Sequence, residues 1–274
     1  MTSIINWLNQ EDIARPTIWT IADSKISNIE STPISAYTLG GAKVLELPVR
    51  CKNISSVHQR LYYESKLTFA YAGSTLTGLQ VYSTLYSILT NLGGINNNCF
   101  PDFGSIMLKA KVVFDLYYET IRSTTEILIS GFCPKTQEPF QGKIFISNAR
   151  GEYKSEISIK QFELDNIVFE ILGDKKDEIS ETISSRLGCR NKDISYWRLP
   201  KTILKELIDT NRYDTIGGNI QLAINDGMSF QLLAIVQPIK IGEPEAVMKF
   251  RNFDISEDIG INLGDCFVSI NGMT

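Results

Sequence analysis

The opening of the chain alternates short apolar, β-branched runs with polar breaks. Residues 2–8 (TSIINWL) and 17–23 (TIWTIAD) predict two largely buried strands joined by the polar, proline-containing NQEDIARP. Further short strands are expected at Ser35–Thr38, Ala42–Val49 and Leu67–Tyr71. The period then changes. Between Gly73 and Leu92, apolar residues recur at Leu76, Leu79, Tyr82, Leu85, Tyr86 and Leu89, which predicts an amphipathic helix stopped at Gly93-Gly94. A second helix is predicted over 106–122, antiparallel to the first on one face of a sheet.

Strand-like runs return at 126–132, 142–148, 151–158 and 167–173, separated by turn residues. Residues 174–187 begin with acidic side chains that suit a helix N-terminus, and 200–211 begin with a proline at a first-turn position, so a second helix pair is expected. Strands resume at 218–224 and 229–236. The succession of strands, two helices, strands, two helices and strands predicts an α+β fold, packed as a four-layer αββα sandwich with a helix layer outside each of two facing sheets. Residues 1–241 are expected to form this domain and 242–274 an appendage.

Composition narrows the chemistry. The chain has 274 residues, 43% of them apolar, enough for a large core without disulfide support. Its 27 basic and 31 acidic side chains give a net charge of −4 with no basic cluster, which argues against a nucleic-acid partner. The five cysteines, Cys51, Cys99, Cys133, Cys189 and Cys266, form no C-x-x-C pair, so no metal site, cofactor or disulfide framework is signalled and a reducing cytoplasm suits them. No apolar run reaches the ~18 residues of a membrane span, and the first residues lack the pattern of a signal peptide. The single histidine, His58, lies in the polar stretch KNISSVHQR, so serine–histidine catalysis and a histidine metal cluster are not expected.

Several segments, in order, carry a resemblance. They are TIADSKIS (20–27), with an aspartate-serine-basic triplet, GGAKVLEL (40–47), FAYAGSTLTGL (69–79), the hairpin ILISGFCPKTQEPFQGKIFISNARGE (127–152), FEILGD (169–174) and DTIGGNIQLAI (214–224). Together they resemble the proteasome β-type subunit family, the N-terminal nucleophile hydrolases, over about four fifths of the chain. The resemblance implies a threonine-type peptidase in which Thr2, exposed by loss of Met1, is the nucleophile and its own α-amine the general base. It also implies that Lys43 is the active-site lysine, that Asp23 pairs with it, and that the Gly73 N–H stabilises the oxyanion. Such chemistry needs no histidine, because an amine with a pKa near 8 accepts a proton at neutral pH. The family further implies a peptide or protein substrate, a homo-oligomeric assembly and a partner that unfolds substrates. The chain departs from the family pattern where Ile216 precedes Gly217-Gly218 in place of a serine, where Asp214 is displaced by one position, and where Asp174 follows Gly173. Those departures keep two alternatives open: a catalytically silent scaffold, and a non-peptidase amidase of the same class.

Overall fold

In the computed structural model the described residues are 2–28, 35–55, 59–149, 152–189, 191–238 and 246–273. Met1, His58, Gly151 and the 241/242 boundary lie outside them. The chain begins with β1 (Ser3–Asn9), β2 (Thr17–Asp23), β3 (Ile26–Asn28), β4 (Ser35–Thr38), β5 (Val44–Asn53) and β6 (Leu61–Gly73). Helix α1 (Thr75–Leu89), the short β7 (Leu92–Gly94) and helix α2 (Phe103–Ile121) follow. Strands β8 (Thr125–Phe132), β9 (Pro139–Ala149), β10 (Glu152–Gln161) and β11 (Phe169–Gly173) lead to α3 (Lys176–Leu187), α4 (Ile194–Trp197) and α5 (Leu199–Asp209). The last part holds β12 (Ile220–Asn225), β13 (Phe230–Pro238), β14 (Ala246–Phe250), β15 (Phe253–Asp254), a single π-turn (Ile255–Ile259), β16 (Asn262–Leu263), β17 (Cys266–Phe267) and β18 (Gly272–Met273).

The fold is mixed α+β, with two main sheets among the described residues. One runs β11-β1-β2-β12-β13-β14-β15, with β18 parallel to β13; the other runs β10-β9-β8-β6-β5-β7. Strand alternation explains why β1 and β2 look apolar throughout. Ile5, Trp7, Trp19 and Ile21 point into a core shared with Ile179, Ile183, Ile203 and Leu204 of α3 and α5. Ile4 and Ala22 point the other way, into a cluster with Val44, Ala70, Ala72, Leu128 and Leu172. Both faces of these strands are covered, so no polar alternation is left for the sequence to show.

The second sheet repeats the device. Leu67, Phe69 and Tyr71 of β6 pack with Val81, Leu85, Ile106 and Phe114 of α1 and α2, while Ala70 and Ala72 face the first sheet. The small residues of that middle cluster let the sheets approach closely, and one buried polar network sits among them. The Asn6 side-chain amide donates to Gln141 Oε1 at 2.9 Å, and its Oδ1 accepts from Thr20 Oγ1 at 2.7 Å and Ser130 Oγ at 2.9 Å. Satisfied in this way, a buried asparagine fixes the relative register of strands from both sheets.

The elements differ from the sequence expectation mainly at their ends. Helix α2 starts three residues before the expected 106, because the Asp102 side chain caps it by accepting from Ser105 N at 2.8 Å. Strand β6 starts six residues earlier than Leu67, through LYYESK, whose outward residues are exposed and mask the strand pattern. Helix α1 ends at Leu89 with Thr90 as its cap, three residues short of the expected stop, and Gly93-Gly94 instead belong to β7, which pairs with β5. From Ala246 the chain continues the first sheet, since β14 pairs with β13 and β15 with β14.

Candidate functional site

The end of β2 brings a carboxylate into the interior, and most of the site is built on it. Asp23 is fully buried. Its Oδ1 accepts from Lys43 Nζ at 3.0 Å and from the backbone N–H of Ser3 at 3.0 Å; its Oδ2 accepts from Gly217 N at 3.1 Å and Lys25 N at 3.3 Å. Four donors from four parts of the chain therefore converge on one carboxylate. The charge-assisted bonds among them are what make a buried carboxylate tolerable.

Lys43 immediately precedes β5 and is 2% exposed. Its ammonium also donates to the Lys25 carbonyl at 2.6 Å. Burial pushes the Lys43 pKa below that of an ordinary lysine; the Asp23 charge and hydrogen bond oppose the shift, and nearby Lys25 adds to it. The segment leading to Lys43 is held in place by Gln221 of β12. Its side chain accepts from Lys43 N at 3.0 Å and donates to the Gly41 carbonyl at 2.5 Å. On the opposite side, the Tyr71 hydroxyl donates to the Ala42 carbonyl at 2.6 Å, and Tyr71 N donates to the Lys43 carbonyl at 3.2 Å.

Thr2 lies just before β1 and is 5% exposed. Its carbonyl accepts from Asp174 N at 2.7 Å. Gly173 makes that approach possible: its φ is +90°, and a Cβ there would fall 1.9 Å from the Thr2 carbonyl oxygen. The next residue, Ser3, shares Asp23 Oδ1 with Lys43, so the ammonium and the Thr2–Ser3 peptide link meet at a single oxygen. Gly73, at the end of β6 with φ +109°, and Thr2 both line a pocket of about 1120 Å³. Glu126, Gly173 and Asp174 line it as well. Asp23 and Lys43 are not among its lining residues.

The departures noted in the sequence take definite places. Ile216 is buried in the core between the first sheet and α3/α5. Asp214 contributes its carbonyl to Lys25 Nζ at 2.6 Å. Asp174 accepts a hydrogen bond from the hydroxyl of Thr215, so a carboxylate and a hydroxyl meet beside Thr2. Thr215, Gln221 and Glu126, whose Oε2 accepts from Gly173 N at 2.7 Å, were not recognisable as site residues in the sequence. The only available signal was Thr215 itself, a hydroxyl one position before Ile216. No described helix is long and apolar enough to cross a membrane.

No family model matches the chain, and no curated protein matches it. Solved structures do. An Anbu (Gly-1) mutant from Hyphomicrobium sp. strain MC1 is similar at 14% identity and a TM-score of 0.53, over 85% of this chain and 88% of that one. Anbu (ancestral beta-subunit) from Yersinia bercovieri is similar at 13% identity and a TM-score of 0.53, over 88% of each chain. The resemblance to the proteasome β-type subunit family is corrected by these findings. The similar structures are Anbu proteins, which are proteasome-like but a distinct family, and at such identities the likeness is one of fold.

Proposed function

We propose that the chain is an N-terminal nucleophile hydrolase that cleaves amide bonds in peptides, with Thr2 as nucleophile once Met1 is removed. The observation that carries this reading is the single oxygen of Asp23 that holds both the Lys43 ammonium and the amide of the Thr2–Ser3 link. The four-layer αββα order belongs to the same reading. Its support is that α1 and α2 pack on one sheet, α3 and α5 on the other, and small residues fill the space between the sheets.

In the proposed reaction, Thr2 Oγ1 attacks the substrate carbonyl and its proton passes to the free α-amine. The Gly73 N–H would stabilise the oxyanion. Collapse expels the leaving amine with that proton and leaves an ester on Thr2, which water then hydrolyses. The buried cation Lys43 favours both the neutral amine and the developing alkoxide, while Asp23 keeps it charged and in place.

This assignment fixes the pH profile. The rate should rise as the α-amine loses its proton, near the ~8 of an ordinary amine, and fall as Lys43 loses its own, below the ~10.4 of an ordinary lysine because its pKa is lowered. Initial rates on a fluorogenic peptide from pH 5 to 10 check it. A single rising limb with a midpoint near 4–5 would mean a carboxylate base and would overturn the amine's role.

Assembly of several copies in the cytoplasm is part of the proposal. Helix α1 carries no charged residue, yet Leu76, Leu79 and Tyr86 are exposed on it, and Leu108, Val112 and Leu116 are exposed on α2. An apolar outer face of that extent suits subunit packing. A partner that unfolds protein substrates would follow if assembly encloses the sites. Sizing at micromolar concentration should give a species larger than one chain; a single-chain species alone contradicts the assembly.

A second reading, a catalytically silent scaffold, is favoured by one observation. Ile216 brings no hydroxyl to the place where the sequence pattern leads one to expect a serine, since it lies in the hydrophobic core.

A further inference from the structure

Strands β14 and β15 are joined by two residues, Arg251 and Asn252, with Phe250 opposite Phe253. Their φ values of +51° and +72° are both left-handed, which suits a tight two-residue hairpin turn. This turn folds back onto the site. A Cβ on Gly40 would lie 2.7 Å from the Arg251 carbonyl oxygen and 2.6 Å from the Phe253 ring, so the turn rests directly on the strip that leads through Ala42 to Lys43.

The Tyr71 hydroxyl is near enough to Arg251 to act on its charge, and the Phe250 ring lies 5.2 Å from the guanidinium carbon. Its Nε is out of solvent and has no hydrogen-bond partner. Burial pushes the Arg251 pKa down, and no carboxylate among the described residues forms an ion pair with it. Arg251 is half-buried, and a guanidinium with its Nε shut away from solvent is ordinarily held by a carboxylate or phosphate. Tyr71 and Gly73 are alternate residues of β6 on the same side of the strand, about 7 Å apart, or one side-chain length.

We propose that Arg251 is a specificity residue that receives an acidic side chain of the substrate beside the bond to be cleaved, its place set by the Arg251-Asn252 turn packed on Gly40. The proposal rests on the hydrolase reading for the site and adds the substrate class to it. An aspartate or glutamate side chain would supply the anion that the guanidinium lacks, with the Phe250 ring lying beside it.

The test is a matched series of acetylated peptides carrying Glu, Gln or Lys at the residue before a fluorogenic amide, given to the wild type, Arg251→Gln, Arg251→Lys and Arg251→Glu. The wild type should favour Glu over Gln by at least about tenfold in kcat/KM, each tenfold being about 1.4 kcal/mol. Arg251→Gln should lose the preference, Arg251→Lys should keep part of it, and Arg251→Glu should move it to the Lys peptide. In parallel, calorimetry on Thr2→Ala should show the Glu peptide binding more tightly than the Gln peptide, with the difference lost in Thr2→Ala/Arg251→Gln. Equal handling of Glu and Gln by the wild type overturns the proposal, whatever the variants do. Arg251-dependent binding of the Glu peptide without any hydrolysis would support the Arg251 assignment and sink the hydrolase reading. Hydrolysis with no acidic preference would do the reverse. If Arg251→Gln fails to fold, the wild-type comparison of Glu with Gln still decides.

Discussion

Replacing Thr2 by alanine is expected to abolish turnover while leaving the fold in place. The substitution removes the attacking hydroxyl and nothing that the interior depends on. What anchors residue 2 is its backbone carbonyl, which accepts from Asp174 N, and that bond survives any side-chain change. The loss should reach at least about 10⁴-fold, since removing the nucleophile of a covalent mechanism costs about 10⁶-fold in a well-studied case. Thr2→Ser should keep measurable activity because it retains both the hydroxyl and the α-amine, losing only the methyl group that restricts the rotamer. Steady-state rates on a peptide amide, with thermal unfolding as control, separate these outcomes. Hydrolysis that survives Thr2→Ala would place the nucleophile elsewhere.

The second large effect concerns stability. Asp23→Ala should destabilise the protein by about 3–5 kcal/mol, the usual cost of removing one partner of a buried ion pair. Lys43 would keep only the Lys25 carbonyl, and the amides of Ser3 and Gly217 would lose their acceptor in the interior. Losing the Asp23 charge also removes what opposes the lowering of the Lys43 pKa, so the lysine should move further towards its neutral form. Asp23→Asn should cost less, because the amide keeps an acceptor oxygen at the same place. Adding Lys43→Met to Asp23→Ala should recover part of the loss by removing the stranded cation. Denaturant titrations of the four proteins test this. A loss of only ~0.5 kcal/mol for Asp23→Ala, the size expected of an exposed pair, would contradict the central role given to that carboxylate.

The sequence carried the periodic parts of the fold and hid what depends on contact between distant segments. β1 and β2 were legible because both faces are buried and the runs are nearly all apolar. Asn6 and Thr20, which cross-link the sheets within those runs, were not, because a polar residue in a strand ordinarily marks a solvent face. The first half of β6 and the three leading residues of α2 were obscured by local polarity. At the site, Asp23 and Lys43 stood in recognisable short motifs, and the structure joins them. Gln221 and Thr215 act through partners about 180 and 40 residues away in sequence, at Gly41, Lys43 and Asp174, so no local pattern marks them. Arg251 lay in a segment for which the sequence suggested no role beyond an appendage. The family resemblance proved too narrow, since motifs built around a shared fold are also met by a distinct family with that fold.

The most direct measurement is intact-mass and tandem mass spectrometry of the protein produced in a cell, with and without a peptide vinyl sulfone. The account predicts a chain lacking Met1 that gains one probe mass on Thr2, and no such gain in Thr2→Ala. A chain that retains Met1 in nearly all molecules, or equal labelling of the wild type and Thr2→Ala, would contradict it.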